Sequence, residues 1–173
     1  MLPQLSLVLG GAASGKSAYA ENLVLQSGRK PVYIATAQVF DDEMAQKVTR
    51  HQLQRGNLWQ TYEVPYNVAD TLDQFDAESA VLIDCATLWL TNIILDDRDL
   101  AQETNDLLAA LGRCKAPVVV VSNETGQGIV PENALARKFR NAQGTLNQQI
   151  ASRAEFVVAI MAGLPMALKG QVP

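Results

Sequence analysis

A chain of 173 residues with one histidine and two cysteines has little of the chemistry most used for metal binding and redox work. Cys85 and Cys114 show no Cys-x-x-Cys spacing and have no companion histidines, so they read as reduced, mostly buried thiols and no disulfide framework is expected. Excess positive charge is also missing. Fourteen Lys and Arg against 18 Asp and Glu give a net charge of −4 and a pI near 4.9, which argues against a broad nucleic-acid-binding surface. The one basic cluster, Arg137, Lys138 and Arg140, reads as the solvated face of a helix. No apolar stretch reaches the roughly 18 residues a membrane span needs, and residues 1 to 9 lack the basic start of a signal peptide. The expectation is a cytoplasmic protein without membrane insertion. Low-complexity tracts and internal repeats are absent as well, and the length fits a single domain over residues 1–173, able to bury about 70% of its unfolded surface.

What is present is concentrated near the N-terminus. Gly10-Gly11-Ala12-Ala13-Ser14-Gly15-Lys16-Ser17 completes the G-x-x-x-x-G-K-[ST] pattern directly after the apolar run Leu5 to Leu9. A triphosphate requires clustered donors and positive charge in a space too tight for ordinary side chains. Gly10, Gly11 and Gly15 allow the sharp turn and close approach. Lys16 can reach β- and γ-phosphate oxygens, Ser17 can offer its hydroxyl to Mg²⁺, and a helix starting near Ser14 aims free N–H groups at the anion. The whole loop, Ala12, Ala13 and Ser14 included, is therefore a nucleotide-binding candidate.

Apolar runs alternate with helical patterns along the rest of the chain, as in βαβ units. Strands are expected at Leu5 to Leu9, Pro31 to Ala35, Ala80 to Asp84, Pro117 to Ser122 and Glu155 to Ile160, with a short one near Met166 to Lys169. Helical patterns cover residues 16 to 27, 41 to 54, 67 to 75, 86 to 110 and 133 to 152, and Gly56 to Pro65 is the least regular stretch. The fold class expected is α/β: a three-layer P-loop NTPase fold with a mostly parallel central sheet, RecA-like in kind. Right-handed crossovers place ligands at the carboxyl ends of such strands.

Asp84 closes the run Ala80 to Ile83 at the position where phosphate-loop proteins commonly keep a carboxylate for Mg²⁺. A hydrophobic run ending in one acid is a weak pattern alone; the phosphate loop strengthens it. Asn123 and Glu124 close the next long strand, ahead of Thr125-Gly126-Gln127-Gly128, a loop able to approach a ligand closely. His51 is the sole imidazole, so any step needing one near neutral pH falls to it. Met44, Val48 and His51 share one helical face, which read alone describes a partly buried structural histidine.

Several separated segments together resemble one family, the bifunctional adenosylcobinamide kinase/adenosylcobinamide-phosphate guanylyltransferases of cobalamin biosynthesis. They are Gly10 to Ser17; Tyr33 to Ala37 with Asp41 to Met44; Arg50-His51; Thr91-Asn92; Ser122 to Pro131; and Phe139-Arg140 with Gly144 and Asn147-Gln148. The resemblance implies two reactions on one chain. ATP or GTP phosphorylates the aminopropanol hydroxyl of adenosylcobinamide, and GMP from GTP is then transferred to adenosylcobinamide phosphate, giving adenosylcobinamide-GDP. It also implies that His51 is guanylylated on the way. Ala35, Thr36, Ala37, Gln52, Leu53, Gln54, Arg55, Glu63 and Asp84 would line the guanine nucleotide site, and the assembly would be a homotrimer.

The chain departs from the family pattern at three places: Ala13 where Arg is frequent, Arg50 where a second histidine often precedes the nucleophile, and Asp84 where Glu is common. Shortening that carboxylate by one methylene shifts a metal or ribose contact by about an ångström, enough to affect oriented catalysis. Two other readings stay open on the residues: a small-molecule kinase without guanylyl transfer, and a non-catalytic nucleotide-dependent switch.

Overall fold

Val118-Val119-Val120-Val121 lies in the middle strand of the sheet, where β-branched side chains are covered on both faces. The structure, a computed structural model, describes residues 1–38 and 58–171. Seven strands form one sheet: β1 (Leu5–Gly10), β2 (Lys30–Ala35), β3 (Gln60–Glu63), β4 (Ser79–Asp84), β5 (Val118–Asn123), β6 (Phe156–Met161) and β7 (Leu164–Lys169). Their order is β3-β2-β4-β5-β1-β6-β7, parallel throughout except for β7. Five helices are described: α1 (Lys16–Gln26), α2 (Val68–Leu72), α3 (Ala86–Leu95), α4 (Leu100–Arg113) and α5 (Ala134–Arg153).

The alternation of side chains along each strand divides the core in two. Val8, Leu82, Val119, Val121 and Val158 meet Ala20, Leu23 and Val24 of α1 on one face. Leu7, Ile34, Val81, Ile83, Val118 and Val120 meet α2 to α5 on the other, around Trp89, Leu111, Leu146 and Ile150. This is the three-layer arrangement expected, with helices on both sides of a mostly parallel sheet. The chain order reverses around β1, which sits between β5 and β6, and such switch points open ligand crevices at the strands' carboxyl ends.

The expected strands all form, each shifted by no more than a few residues. Two elements differ from expectation. Residues 86 to 110 are not one helix: α3 ends at Leu95, Asp97 turns with φ 49°, and Asp99 caps α4 by accepting from the N–H groups of Ala101 and Gln102, both at 3.1 Å. The irregular stretch Gly56 to Pro65 contains β3, an edge strand that is mostly exposed and so carries no alternating apolar pattern. The helix expected over residues 41 to 54 lies outside the described residues. Among those described, no helix is long and apolar enough to cross a membrane.

Candidate nucleotide site at the carboxyl edge of the sheet

Gly10 ends β1 against its neighbours so closely that a Cβ there would fall 2.3 Å from Ser14 Oγ and 2.8 Å from the carbonyl oxygen of Ile160. Only glycine fits. Gly15 precedes α1 at φ 93°, a left-handed conformation, and its α-carbon side faces Gly163 of the β6–β7 turn. That turn, Ala162-Gly163, is itself left-handed at both positions, as two-residue hairpins of this twist require, and the Gly163 N–H donates to Ser14 O at 2.9 Å. The antiparallel hairpin thus buttresses the phosphate loop from the side.

Helix α1 has no side-chain cap and no acidic residue in its first turn, so its leading N–H groups point into the loop without a competing carboxylate. The Lys16 ammonium curls over the same loop and donates to Gly11 O at 3.0 Å. Together these place a partial and a full positive charge around one loop, the arrangement an oligophosphate requires. Two buried acceptors next to it, Ser14 Oγ and Asn123 Oδ1, have no hydrogen-bond partner. Leaving such atoms unpaired costs about 1–3 kcal/mol each.

Two carboxylates end strands of the same sheet edge, Asp84 two strands away from the phosphate loop and Glu63 four. Ala35 is in register with Glu63 on one side and Asp84 on the other, and residues paired in parallel register share a face. That is the α1 face, since Asp84 also pairs with Val121 of the α1-side core. Asp84 Oδ2 accepts from the Tyr33 hydroxyl at 2.8 Å, and the Tyr33 ring is fixed edge-on against Trp59 with centroids 5.7 Å apart. Glu63 is exposed at the end of β3. Burial pushes the neighbouring Cys85 thiol up to about 11, and the Asp84 charge adds to the rise while Lys16 opposes it. Lys16 and Asp84 therefore act on one locus.

Thr36 occupies a different environment. Fully buried, it exchanges hydrogen bonds with Cys85: its hydroxyl donates to Cys85 O at 2.7 Å and accepts from the Cys85 N–H at 2.8 Å. Asn92 then donates through Nδ2 to Thr36 O at 2.8 Å and to Pro65 O at 2.9 Å. This buried knot ties together the turns after β2, β3 and β4, so Thr36 shapes the site's floor. Sequence reasoning assigned Asn92 no role. The available signal was a lone amide in the mostly apolar run Trp89 to Leu95.

The end of β5 is tied in by a second network. The Asn123 N–H donates to Thr87 Oγ1 at 2.8 Å, and the Glu124 N–H donates to Gly10 O at 3.1 Å. Below them Ser122 donates to Asn147 Oδ1 at 2.6 Å, Gln143 Nε2 donates to both, and Asn147 Nδ2 donates to Asn123 O at 3.1 Å. Strand β5 is thereby locked to α3, α5 and the phosphate loop at once. His51 and the stretch Gln52, Leu53, Gln54 and Arg55 lie outside the described residues. Lys16 and Ser17 open α1, and Ala35 and Asp84 end β2 and β4 on the sheet face that α1 covers.

Comparison with known proteins adds the following. The family model described as cobinamide kinase / cobinamide phosphate guanyltransferase matches residues 6–168. The bifunctional adenosylcobalamin biosynthesis protein CobP of Pseudomonas aeruginosa is 46% identical over 168 residues, covering 95% of this chain and 97% of that protein. Among solved structures, the flagellar accessory protein FlaH from Methanocaldococcus jannaschii superposes with a TM-score of 0.58 at 16% identity, covering 98% of this chain and 80% of that one. The RadB recombinase superposes at 0.50 with 21% identity, covering 91% and 74%. At such identities the structural likeness speaks for the fold alone, which is that of the P-loop NTPases.

Proposed function

This chain belongs to the cobinamide kinase / cobinamide phosphate guanyltransferase family, and from that premise we propose how its residues divide the two reactions. The enzyme phosphorylates adenosylcobinamide and then transfers a guanylyl group to the phosphate so formed. The observation that carries the reading is the phosphate loop itself, with the Lys16 ammonium, the uncapped start of α1 and Asp84 on one side of the sheet.

In the kinase step, the aminopropanol hydroxyl of adenosylcobinamide attacks the γ-phosphorus of ATP or GTP. A P–O bond forms, the bond to the bridging oxygen breaks, the hydroxyl proton leaves, and a nucleoside diphosphate departs. Lys16 and the α1 N–H groups hold the β- and γ-oxygens and offset the charge that develops on the departing group. In the transfer step, a neutral His51 imidazole nitrogen attacks the α-phosphorus of GTP and pyrophosphate departs. The phosphate of adenosylcobinamide phosphate then attacks the same phosphorus, the P–N bond breaks, and adenosylcobinamide-GDP leaves with His51 restored. One difficult displacement is split into two.

Ser17 and Asp84 are the residues that would hold Mg²⁺. Both offer hard oxygens, and phosphate oxygens and water would complete the shell. Mg²⁺, when bound, neutralises phosphate charge. Ala35, Ala37, Glu63 and Gln52 to Arg55 are assigned to the guanine nucleotide by the family resemblance, and Thr36 to shaping the turn beside them. A homotrimer in the cytoplasm is the proposed state; the exposed apolar residues Leu164, Met166 and Leu168 of edge strand β7 are available surface for it.

The test is to incubate the protein with Mg²⁺ and GTP labelled at the α-phosphate and to assay acid-labile covalent label. Wild type takes up label, His51→Ala takes up none, and His51→Ala still phosphorylates adenosylcobinamide. Label retained in the variant would refute the nucleophile. Unchanged conversion to the GDP product would do the same.

A further inference from the structure

Arg140, Gly144 and Gln148, all on α5, are among the residues that carry the family resemblance, yet the nucleotide site uses none of them. With Arg137, Asn141 and Thr145 they line a cleft of about 550 Å³ between α5 and the loop that follows β5, closed on the loop side by Gly126 and Val130. The i, i+4, i+8 spacing of both triplets sets them as two adjacent stripes on one helix flank.

Three properties define what fits there. The lining has amides, a hydroxyl and two guanidinium groups and no carboxylate, although the chain as a whole is acidic. The two arginines also hold the loop: Arg137 donates to Pro131 O at 2.9 Å and to Glu132 O at 2.5 Å, and Arg140 donates to Gly126 O. Each guanidinium has five donors, so capacity remains for a ligand. Gly144 lies mid-helix, where glycine costs about 1 kcal/mol relative to alanine. A Cβ added there would meet nothing within 4 Å, so no packing within the described chain requires glycine at this position. The open helix backbone suits close approach by something outside the chain.

The loop that walls the cleft leaves the sheet at Glu124, whose N–H is bound to Gly10 O, so the cleft is linked to the phosphate loop through the end of β5. Resting on the function proposed above, we infer that this cleft seats the amide-bearing rim of the corrin ring of adenosylcobinamide. Primary amides at the ring's edge present carbonyl acceptors to Arg137 and Arg140 and pair reciprocally with the side-chain amides of Asn141 and Gln148. The flat face at Gly144 admits the macrocycle's edge, and the aminopropanol arm extends past Gly126 toward the phosphate loop. A volume of 550 Å³ is within the usual range for small-molecule sites and takes the rim of the ring.

Gly144→Leu fills the cleft while improving the helix, and Gln148→Ala removes one amide partner. Steady-state conversion is measured against adenosylcobinamide concentration, alongside covalent labelling by GTP without corrinoid and a thermal melt. The expected result is a KM for adenosylcobinamide raised at least tenfold by Gly144→Leu and roughly threefold to tenfold by Gln148→Ala, with labelling rate, KM for GTP and melting temperature not reduced. An unchanged adenosylcobinamide KM in both variants would overturn the assignment while leaving the bifunctional reading intact. Failure of the wild type to turn over adenosylcobinamide would instead remove that reading.

Discussion

The Tyr33 hydroxyl donates to Asp84 Oδ2 at 2.8 Å, so the carboxylate that ends β4 is aimed from the neighbouring strand. Tyr33 is buried against Trp59 and cannot easily reorient. Tyr33→Phe keeps the ring and removes only the donor. It is expected to lower kcat for both phosphorylation and guanylyl transfer roughly threefold to thirtyfold and to raise the Mg²⁺ concentration needed for half-maximal rate. The stability cost should stay near 1 kcal/mol, the net value of one hydrogen bond. Steady-state assays over a Mg²⁺ series, with a melt as control, check it; an unchanged Mg²⁺ profile would show that the orientation of Asp84 is immaterial.

Gly10 gives the most direct steric prediction. Gly10→Ala sets a methyl against Ser14 Oγ and the Ile160 carbonyl, and the latter is backbone at the end of β6 that cannot swing away. The loop must deform to admit it. Binding of GTP, measured by calorimetry, is expected to weaken at least a hundredfold. The melting temperature should fall by only a few degrees, since the position is at the sheet's edge. Gly11→Ala, where an added Cβ meets nothing within 4 Å, is the control and should bind GTP far better.

Much of this arrangement was legible in the sequence, and what escaped did so for identifiable reasons. The strands that carry the site are buried on both faces, so runs such as Ala80 to Ile83 and Val118 to Val121 declare themselves by continuous hydrophobicity. Strand β3 does not, because an exposed edge strand needs no apolar face. The break between α3 and α4 was written in Asp96-Asp97-Arg98-Asp99, whose turn and cap chemistry was outweighed by apolar residues on either side. The pairing of Tyr33 with Asp84 and the alignment of Glu63 with Ala35 depend on strand order, which no local pattern contains. The turn-binding role of Asn92 likewise emerges only when Thr36 and Pro65 are brought to it.

Asn92 therefore offers a test of structure without chemistry. Its side-chain amide is the shared partner of the Thr36 and Pro65 carbonyls, in a site where it is almost fully buried. Asn92→Ala strands both acceptors away from water and is expected to cost about 2–4 kcal/mol, read as a drop in the urea midpoint. Asn92→Asp keeps the shape but places a carboxylate oxygen against the carbonyls, and is expected to be at least as damaging at pH 8. A variant as stable as wild type would show that the two turns find other partners.

Cys85 sets a pH dependence whose sign is fixed by burial. Its ordinary value lies near 9.0, and in the folded chain desolvation first, then the Asp84 charge, push it up to about 11. Below pH 9 the thiol is protonated in both states and contributes no slope. Between pH 9 and 11 the unfolded chain releases that proton while the folded chain retains it, so stability falls as pH rises, by on the order of 2 to 3 kcal/mol in all. Burial raises Cys114 and Tyr19 in the same direction, which steepens the wild-type loss. Urea unfolding at pH 8, 9, 10 and 11 is therefore expected to show a progressive decline that is shallower in Cys85→Ala than in wild type. In the same window, native Cys85 should react with iodoacetamide at least a hundredfold more slowly than in urea, because the thiolate is both scarce and covered. Parallel pH curves for the two proteins would show that Cys85 titrates alike folded and unfolded.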